Sequence, residues 1–215
     1  GDAAVQGVAA DLLAGRLQLR GERIAAEARR IGADVVMTSE SCRNGTERCA
    51  AALEVLGDVA PIVVNLQGDA PLTPAFVVSD LVAALAADPD AAMATPAVEC
   101  SPSLYAHLVN DQAHGRVGGT TVVADAHGRA LYFSKRVIPH LPSDAVAPHQ
   151  AVRLHLGVYA YRPAALAAYA ALEPSALELC EGLEQLRFLE SSQPIRLVNF
   201  PALEWDCIEL NNPED

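Results

Sequence analysis

The sequence predicts an α/β domain with a mainly parallel sheet, and three observations carry that expectation. Between Asp34 and Thr95 the hydrophobic pattern alternates strand, helix, strand, helix, strand, an order that places helices on the faces of a parallel sheet. The middle strand, Ile62 to Leu66, is a short β-branched apolar run bounded by Pro61 and by Gln67-Gly-Asp69, which reads as a central strand buried on both faces. Helix-start signals stand where that order needs them: Asn44 with Glu47 three residues on, and Thr73 as N-cap before Pro74 at the first helical position.

In chain order, Ala4 to Leu19 carries a weak helical pattern interrupted by Gly7 and Gly15. Glu22 to Ile31 is a firmer helix, because Ile24, Ala28 and Ile31 share a face and Gly32 follows as C-cap. Asp34 to Met37 is a strand. The Asn44 helix runs to Leu56 and stops at Gly57. After Ile62–Leu66, the Pro74 helix ends before Pro89, and Ala91 to Thr95 is the next strand. From Glu99 to Ala151 the texture changes to an antiparallel insertion within a single domain. Thr120–Ala124 and Ala130–Phe133 flank Asp125-Ala-His-Gly128 as a hairpin, and Pro139–Pro148 is a loop. This insertion is suited to pairing with a second copy, which predicts a homodimer. Arg153 to Tyr161 alternates: Leu154, Leu156, Val158 and Ala160 face one way, and Arg153, His155, Gly157, Tyr159 and Tyr161 the other. A short helix follows Pro163. Ser175 with Glu178 forms a second capping box opening a helix to about Glu190, and Pro194 to Phe200 is a further strand.

Composition narrows the function. The chain has 215 residues, 51% of them apolar and 5% aromatic, enough for a sizeable core. A net charge of -12 argues against nucleic acid as the main partner, since a phosphate backbone calls for clustered Lys and Arg. It leaves a nucleotide open. No apolar run approaches a membrane span, and Gly1-Asp2 does not open a signal peptide. Cys42, Cys49, Cys100, Cys180 and Cys207 form no C-x-x-C pair, which fits a reducing cytosol without a disulfide or zinc framework.

Two features point to chemistry. Asp69 follows the Ile62–Leu66 strand at its carboxyl end, where open α/β sheets place their ligands. It is either a turn-former or the anchor of a metal ion. In the Arg153–Tyr161 strand, one face gathers a guanidinium, an imidazole and two phenols around Gly157. This face is either a solvent-facing sheet surface or a ligand site, and Gly157 weighs toward the second, since a glycine inside a strand often marks close approach of a ligand or backbone.

Six pieces in series then match one family. They are Asn44-Gly-Thr-Glu-Arg48, Val64-Asn-Leu-Gln-Gly-Asp69 with Pro71-Leu72, Leu131-Tyr-Phe-Ser134 with Ile138-Pro139, His155-Leu-Gly-Val-Tyr-Ala-Tyr161, Leu183-Glu-Gln-Leu-Arg187 and Asn212-Pro-Glu-Asp215. Over Glu22 to Asp215 the chain resembles the CMP-Kdo synthetases, the 3-deoxy-manno-octulosonate cytidylyltransferases. The resemblance implies a Rossmann-like nucleotidyltransferase fold and transfer of CMP from CTP to the anomeric hydroxyl of Kdo, releasing pyrophosphate. It implies Mg2+ on Asp69 and Asn211, with Asp69 and Lys135 as catalytic residues. It places Asn44, Gly45, Thr46 and Arg48 near the cytosine and ribose, and Gln67, His155, Tyr159, Glu184 and Gln185 around the acidic sugar. A hard dication would offset the charge of two anionic substrates, while fixed polar contacts keep the sugar hydroxyl in line with phosphorus.

The chain also departs from the family's pattern. No P-A-R-x-x-S-x-R-L-P-x-K loop for the phosphates precedes Glu22, nor does a strand ending in an A-T-D-like turn. Asn211 stands where the family has its second metal aspartate. Lys135 follows Ser134 where many relatives have Phe-Ser-Arg, and the family's terminal helix does not follow Pro213-Glu-Asp215. These departures predict weak CTP binding by the 215-residue polypeptide. They also leave two alternatives open: cytidylyl transfer to 8-amino-Kdo or a nonulosonate, and a non-catalytic homologue.

Overall fold

A computed structural model of the chain describes residues 17–19, 22–57, 60–67 and 73–203. Asp69 and Asn211 lie outside the described residues. In chain order the elements are β1 (Leu17–Leu19), α1 (Glu22–Arg30), β2 (Val35–Met37), α2 (Gly45–Leu56), β3 (Val63–Leu66), α3 (Ala75–Ala87), β4 (Met93–Glu99), α4 (Pro102–Ala113), β5 (Thr120–Ala124) and β6 (Ala130–Ser134). After a 3-10 turn at Pro148–Ala151 come β7 (Arg153–His155), β8 (Val158–Tyr161), α5 (Pro163–Ala170), α6 (Ala176–Glu181), α7 (Leu186–Glu190) and β9 (Ile195–Phe200). The weak helical pattern before Leu19 ends instead in β1, which pairs in parallel with β2.

The main sheet corrects the mainly parallel expectation: most of its pairings among the described residues are antiparallel. β7 and β8 lie antiparallel along one edge of β4, with β9 parallel along the other. β3 pairs antiparallel with β8, while β5 pairs antiparallel with β7 and with β6. The physical reason is an inserted strand. β3 and β4 do run in the same direction and are joined through α3, as the alternation implied, but β8 returns from nearly 100 residues on and slots between them. Sequence periodicity reports which elements form, not which distant strand enters the gap. For the same reason β4, buried at every residue but Glu99, is the central strand, and not β3.

The core has two halves, one on each face of this sheet. Leu154, Leu156, Val158 and Ala160 pack with Val77, Leu81 and Leu85 of α3 and Leu104 and Leu108 of α4. Tyr159 and Tyr161 pack on the other face with Cys49 of α2, Leu166 and Tyr169 of α5 and Phe188 of α7. The alternation of residues 153–161 therefore holds, although the segment is two strands and not one. Opposite it, Ala97 pairs with His155 and Ala94 with Ala160, so two residues of β4 face four between them. The surplus is even, which preserves the inward and outward parity across the break. Pro96 stands in β4 at this point and brings no N–H to the ladder.

Two further expectations need correction. The helix from Ser175 does not run to Glu190: Gly182, at φ +64, ends α6 in the left-handed region, and α7 begins at Leu186. Helix α3 starts one residue later than predicted, with Pro74 itself as N-cap. Helix α4 was not anticipated. Its start is an ordinary one, with Ser101 Oγ accepting from Leu104 N–H at 3.0 Å and Pro102 at the first position.

Candidate active site

The first turn of α2 makes one wall of a cavity. Asn44 caps it: Oδ1 accepts from Glu47 N–H at 2.9 Å, which turns Nδ2 toward the Tyr169 hydroxyl at 2.8 Å. Glu47 does not close a capping box on Asn44. Its carboxylate accepts from the Arg43 N–H at 2.7 Å and from the guanidinium groups of Arg43 (2.8 Å) and Arg187 (3.0 Å). Burial pushes Glu47 up, but these donors outweigh it and hold the carboxyl below its ordinary range. Thr46 is buried, with its hydroxyl on Tyr161 Oη at 2.8 Å.

The turn between α6 and α7 makes the facing wall. Glu184 Oε2 accepts from Thr46 N–H at 2.8 Å, so a carboxylate meets the free N–H end of α2. Glu184 Oε1 accepts from Gln67 Nε2 at 2.8 Å. Gly45 makes room for this approach: a Cβ there would lie 3.0 Å from Asn65 Nδ2, 3.1 Å from Gln67 Nε2 and 3.4 Å from Glu184 Oε1. Burial pushes the Glu184 carboxyl above its ordinary value. The Thr46 and Gln67 bonds oppose that rise, and the nearby Glu178 charge adds to it. Behind the turn, Arg187 is buried and grips Glu178 with two bonds, Nε to Oε2 at 2.6 Å and Nη2 to Oε1 at 2.5 Å. Of the two carboxyls that the described residues bring to the cavity, Glu178 is paired with Arg187, and Glu184 is held by the Thr46 and Gln67 donors.

The floor comes from the sheet. His155 Nε2 lies 2.9 Å from Thr95 Oγ1, whose own proton goes to the Val158 carbonyl at 2.8 Å. Thr95 must therefore accept, which assigns the proton of the neutral imidazole to Nε2. Burial lowers the His155 pKa to about 3. The ring meets Phe133 edge-on at 5.1 Å and lies 5.4 Å from Tyr159, which stacks on Tyr161 at 5.7 Å.

Between walls and floor lies a cavity of about 500 Å³. Of the predicted residues, Asn44, Gly45, Gln67, His155, Tyr159, Glu184 and Gln185 line it, together with Gly157. Gln185 Nε2 is buried with no hydrogen-bond partner in the protein. Thr46 stands just behind the wall. Lys135 lies at the rim, its Nζ 2.9 Å from where a Gly182 Cβ would be, with its N–H on Glu181 Oε2 at 3.0 Å. Arg48 is not part of the lining; its guanidinium braces the loop before α2 through Thr38 Oγ1 (2.9 Å) and the Cys42 carbonyl (3.1 Å). Asp69 follows β3 by three residues and is outside the described residues, as is Asn211. Among the described residues no group of three His, Cys, Asp or Glu side chains could hold a metal ion.

Glu178, Arg187 and Tyr169 take parts the sequence did not disclose. Glu178 was legible as a capping-box residue, and it does accept from Ser175 N–H at 3.1 Å. Its pairing with Arg187 crosses the break at Gly182, so no helical spacing pointed to it. Tyr169 carried no signal at all.

A cytidylyltransferase family model matches residues 21–195. The chain is 44% identical over 186 residues to the 3-deoxy-manno-octulosonate cytidylyltransferase of Maricaulis maris, covering 86% of this chain and 70% of that one. It is 38% identical over 194 residues to the mitochondrial 3-deoxy-manno-octulosonate cytidylyltransferase of Arabidopsis thaliana, covering 90% of this chain and 63% of the relative. Among solved structures it is similar to a CMP:2-keto-3-deoxy-manno-octonic acid synthetase complexed with CTP, with a TM-score of 0.70 and 30% identity over 85% of this chain and 70% of that one. A mannose-1-phosphate geranyltransferase from Thermus thermophilus, at 14% identity and a TM-score of 0.52, shares the fold alone over 94% of this chain and 65% of that one.

Proposed function

We propose that this chain, which belongs to the cytidylyltransferase family, transfers CMP from CTP to the anomeric hydroxyl of 3-deoxy-manno-octulosonate. The sugar oxygen forms a bond to the α-phosphorus of CTP, the bond to the β-phosphate oxygen breaks, and pyrophosphate leaves with the electron pair. The sugar's hydroxyl proton passes to solvent. The observation that carries the reading is one cavity that gathers the α2 first turn, the Glu184–Gln185 turn and the His155–Tyr159 floor. Asn44 and Gly45 belong to the nucleotide side of that cavity. Gln67, His155, Tyr159, Glu184 and Gln185 belong to the sugar side, with Lys135 at the rim as the cation for the acidic sugar. The Arg187 guanidinium offsets the Glu178 charge, which favours an anionic guest. Fixed donors such as Gln185 Nε2 supply contacts that hold the attacking oxygen in line.

Magnesium belongs to the same proposal, with Asp69 and Asn211 as its ligands. The described carboxylates of the cavity are already engaged by N–H groups and Arg187, so they do not compete for the ion. When bound, it would supply positive charge to the triphosphate. A Rossmann-like variant of the α/β fold, a homodimer and a cytosolic location complete the reading. Among the described residues no helix is long and apolar enough to cross a membrane.

The test is release of pyrophosphate by the full-length protein given CTP and magnesium with Kdo, 8-amino-Kdo or a nonulosonate. Release is expected with the highest kcat/KM for Kdo. Preference for another sugar would reassign the substrate, and no release with any of them would make the chain a non-catalytic homologue.

A further inference from the structure

In-line transfer between two substrates requires the walls of the cavity to keep a fixed separation. Asn44 stands on one wall and Glu184 on the other. Thr46 N–H reaches Glu184 Oε2 at 2.8 Å and Asn44 Nδ2 reaches Glu178 Oε1 at 3.3 Å directly, and a residue that touches neither substrate adds a further link deeper in the core. Tyr169 of α5 is fully buried and does not line the cavity. Its hydroxyl oxygen accepts from Asn44 Nδ2 at 2.8 Å. Its single proton lies within reach of the Glu184 carbonyl oxygen at 3.2 Å and of Glu178 Oε1 at 3.3 Å. The ring itself is immobilised. The Arg187 guanidinium carbon sits 4.0 Å from its centroid, and Phe188 stacks on it at 4.8 Å. Arg187 is anchored in turn by Glu178, by Glu47 at 3.0 Å and by the Leu172 carbonyl at 3.3 Å. Burial, reinforced by the Glu178 charge, pushes the phenol well above its ordinary pKa, so the hydroxyl keeps the proton it offers to the Glu184 carbonyl, which also accepts from Arg187 N–H at 3.3 Å.

We propose that Tyr169 is a positioning residue whose hydroxyl sets the spacing between the Asn44 wall and the Glu184 wall, and through it the alignment of nucleotide with sugar. The assignment of a substrate to each wall rests on the reading under Proposed function. The spacing role does not depend on it.

Tyr169→Phe removes the hydroxyl and leaves the ring beneath Arg187, so the fold is retained. Alignment, unlike binding, is expressed in kcat. In the full-length protein kcat is expected to fall by about 10- to 100-fold while KM for CTP and for Kdo each stay within about threefold. A residue that only stabilised the fold would lower the melting temperature without producing that split. Hydrogen exchange of the protein without substrate supplies the second reading. Amides of residues 44–48 and 183–187 are expected to exchange about tenfold faster in the variant, with those of α4 unchanged. Unchanged exchange at both walls, or a kcat within about twofold of the parent, overturns the proposal. If the parent itself releases no pyrophosphate, the functional reading fails. The exchange comparison, which needs no substrate, then decides the role of Tyr169 on its own.

Discussion

Lowering the pH tests the floor of the cavity through His155. The imidazole is buried, donates from Nε2 to Thr95 and has a folded-state pKa of about 3 against an ordinary 6.5. A depressed folded value means that the unfolded chain takes up the proton first. The stability His155 contributes is therefore complete above about pH 6.5 and drains away as the pH falls toward about 3. Between about pH 7 and about pH 5 the loss from this one group is about 2 kcal/mol, a little under 1.4 kcal/mol for each pH unit below the unfolded value. The assay is urea unfolding of the parent and of His155→Gln at both pH values. The glutamine keeps a donor for Thr95 and cannot titrate, so subtracting the two profiles removes every other ionising group. The parent is expected to lose about 2 kcal/mol more than the variant over that interval. Parallel losses, within about 0.5 kcal/mol, would mean that His155 is protonated or solvated in the folded protein, and the account of the floor would be wrong.

Other perturbations probe the walls. Arg187→Met leaves Glu178 and Glu47 buried without their shared guanidinium, and about 3–5 kcal/mol of stability is expected to go; a loss below about 1 kcal/mol in denaturant unfolding would show that the pair is solvated. Gly45→Ala places a methyl 3.0–3.1 Å from the amide nitrogens of Asn65 and Gln67. Those flexible ends can yield, so the melting temperature should hold while KM rises by about an order of magnitude; an unchanged KM would mean that the Gln67–Glu184 contact does not shape the cavity.

Much of this site was legible in the residues because its logic is local. The Asn44 cap and the parity of His155 and Tyr159 are each set by neighbours a few positions away, and the structure places them on the cavity, with Gly157 there too, at the break between β7 and β8 and not inside one strand as its alternating neighbours implied. What escaped depends on chain segments far apart in sequence. β8 separates β3 from β4, which turned an expected parallel neighbourhood into an antiparallel one. Gly182 breaks a helix that the Ser175 box alone would carry through, and the break itself puts Glu184 and Gln185 on a turn facing the α2 first turn. Glu47 looked like the partner of Asn44, but its carboxylate is shared between Arg43, four residues back, and Arg187, 140 residues on. Local patterns specified each element's own geometry, and the long-range charges and strand insertion decided which elements meet.

The central claim is that the cavity between the α2 first turn and the Glu184–Gln185 turn holds the acidic sugar beside the nucleotide. A crystal structure of the full-length protein with CTP and Kdo tests it most directly. The account predicts sugar density between Asn44 and Glu184, in contact with Gln185 Nε2 and above His155 and Tyr159. Sugar density on the opposite face of the sheet, against α3 and α4, would contradict it.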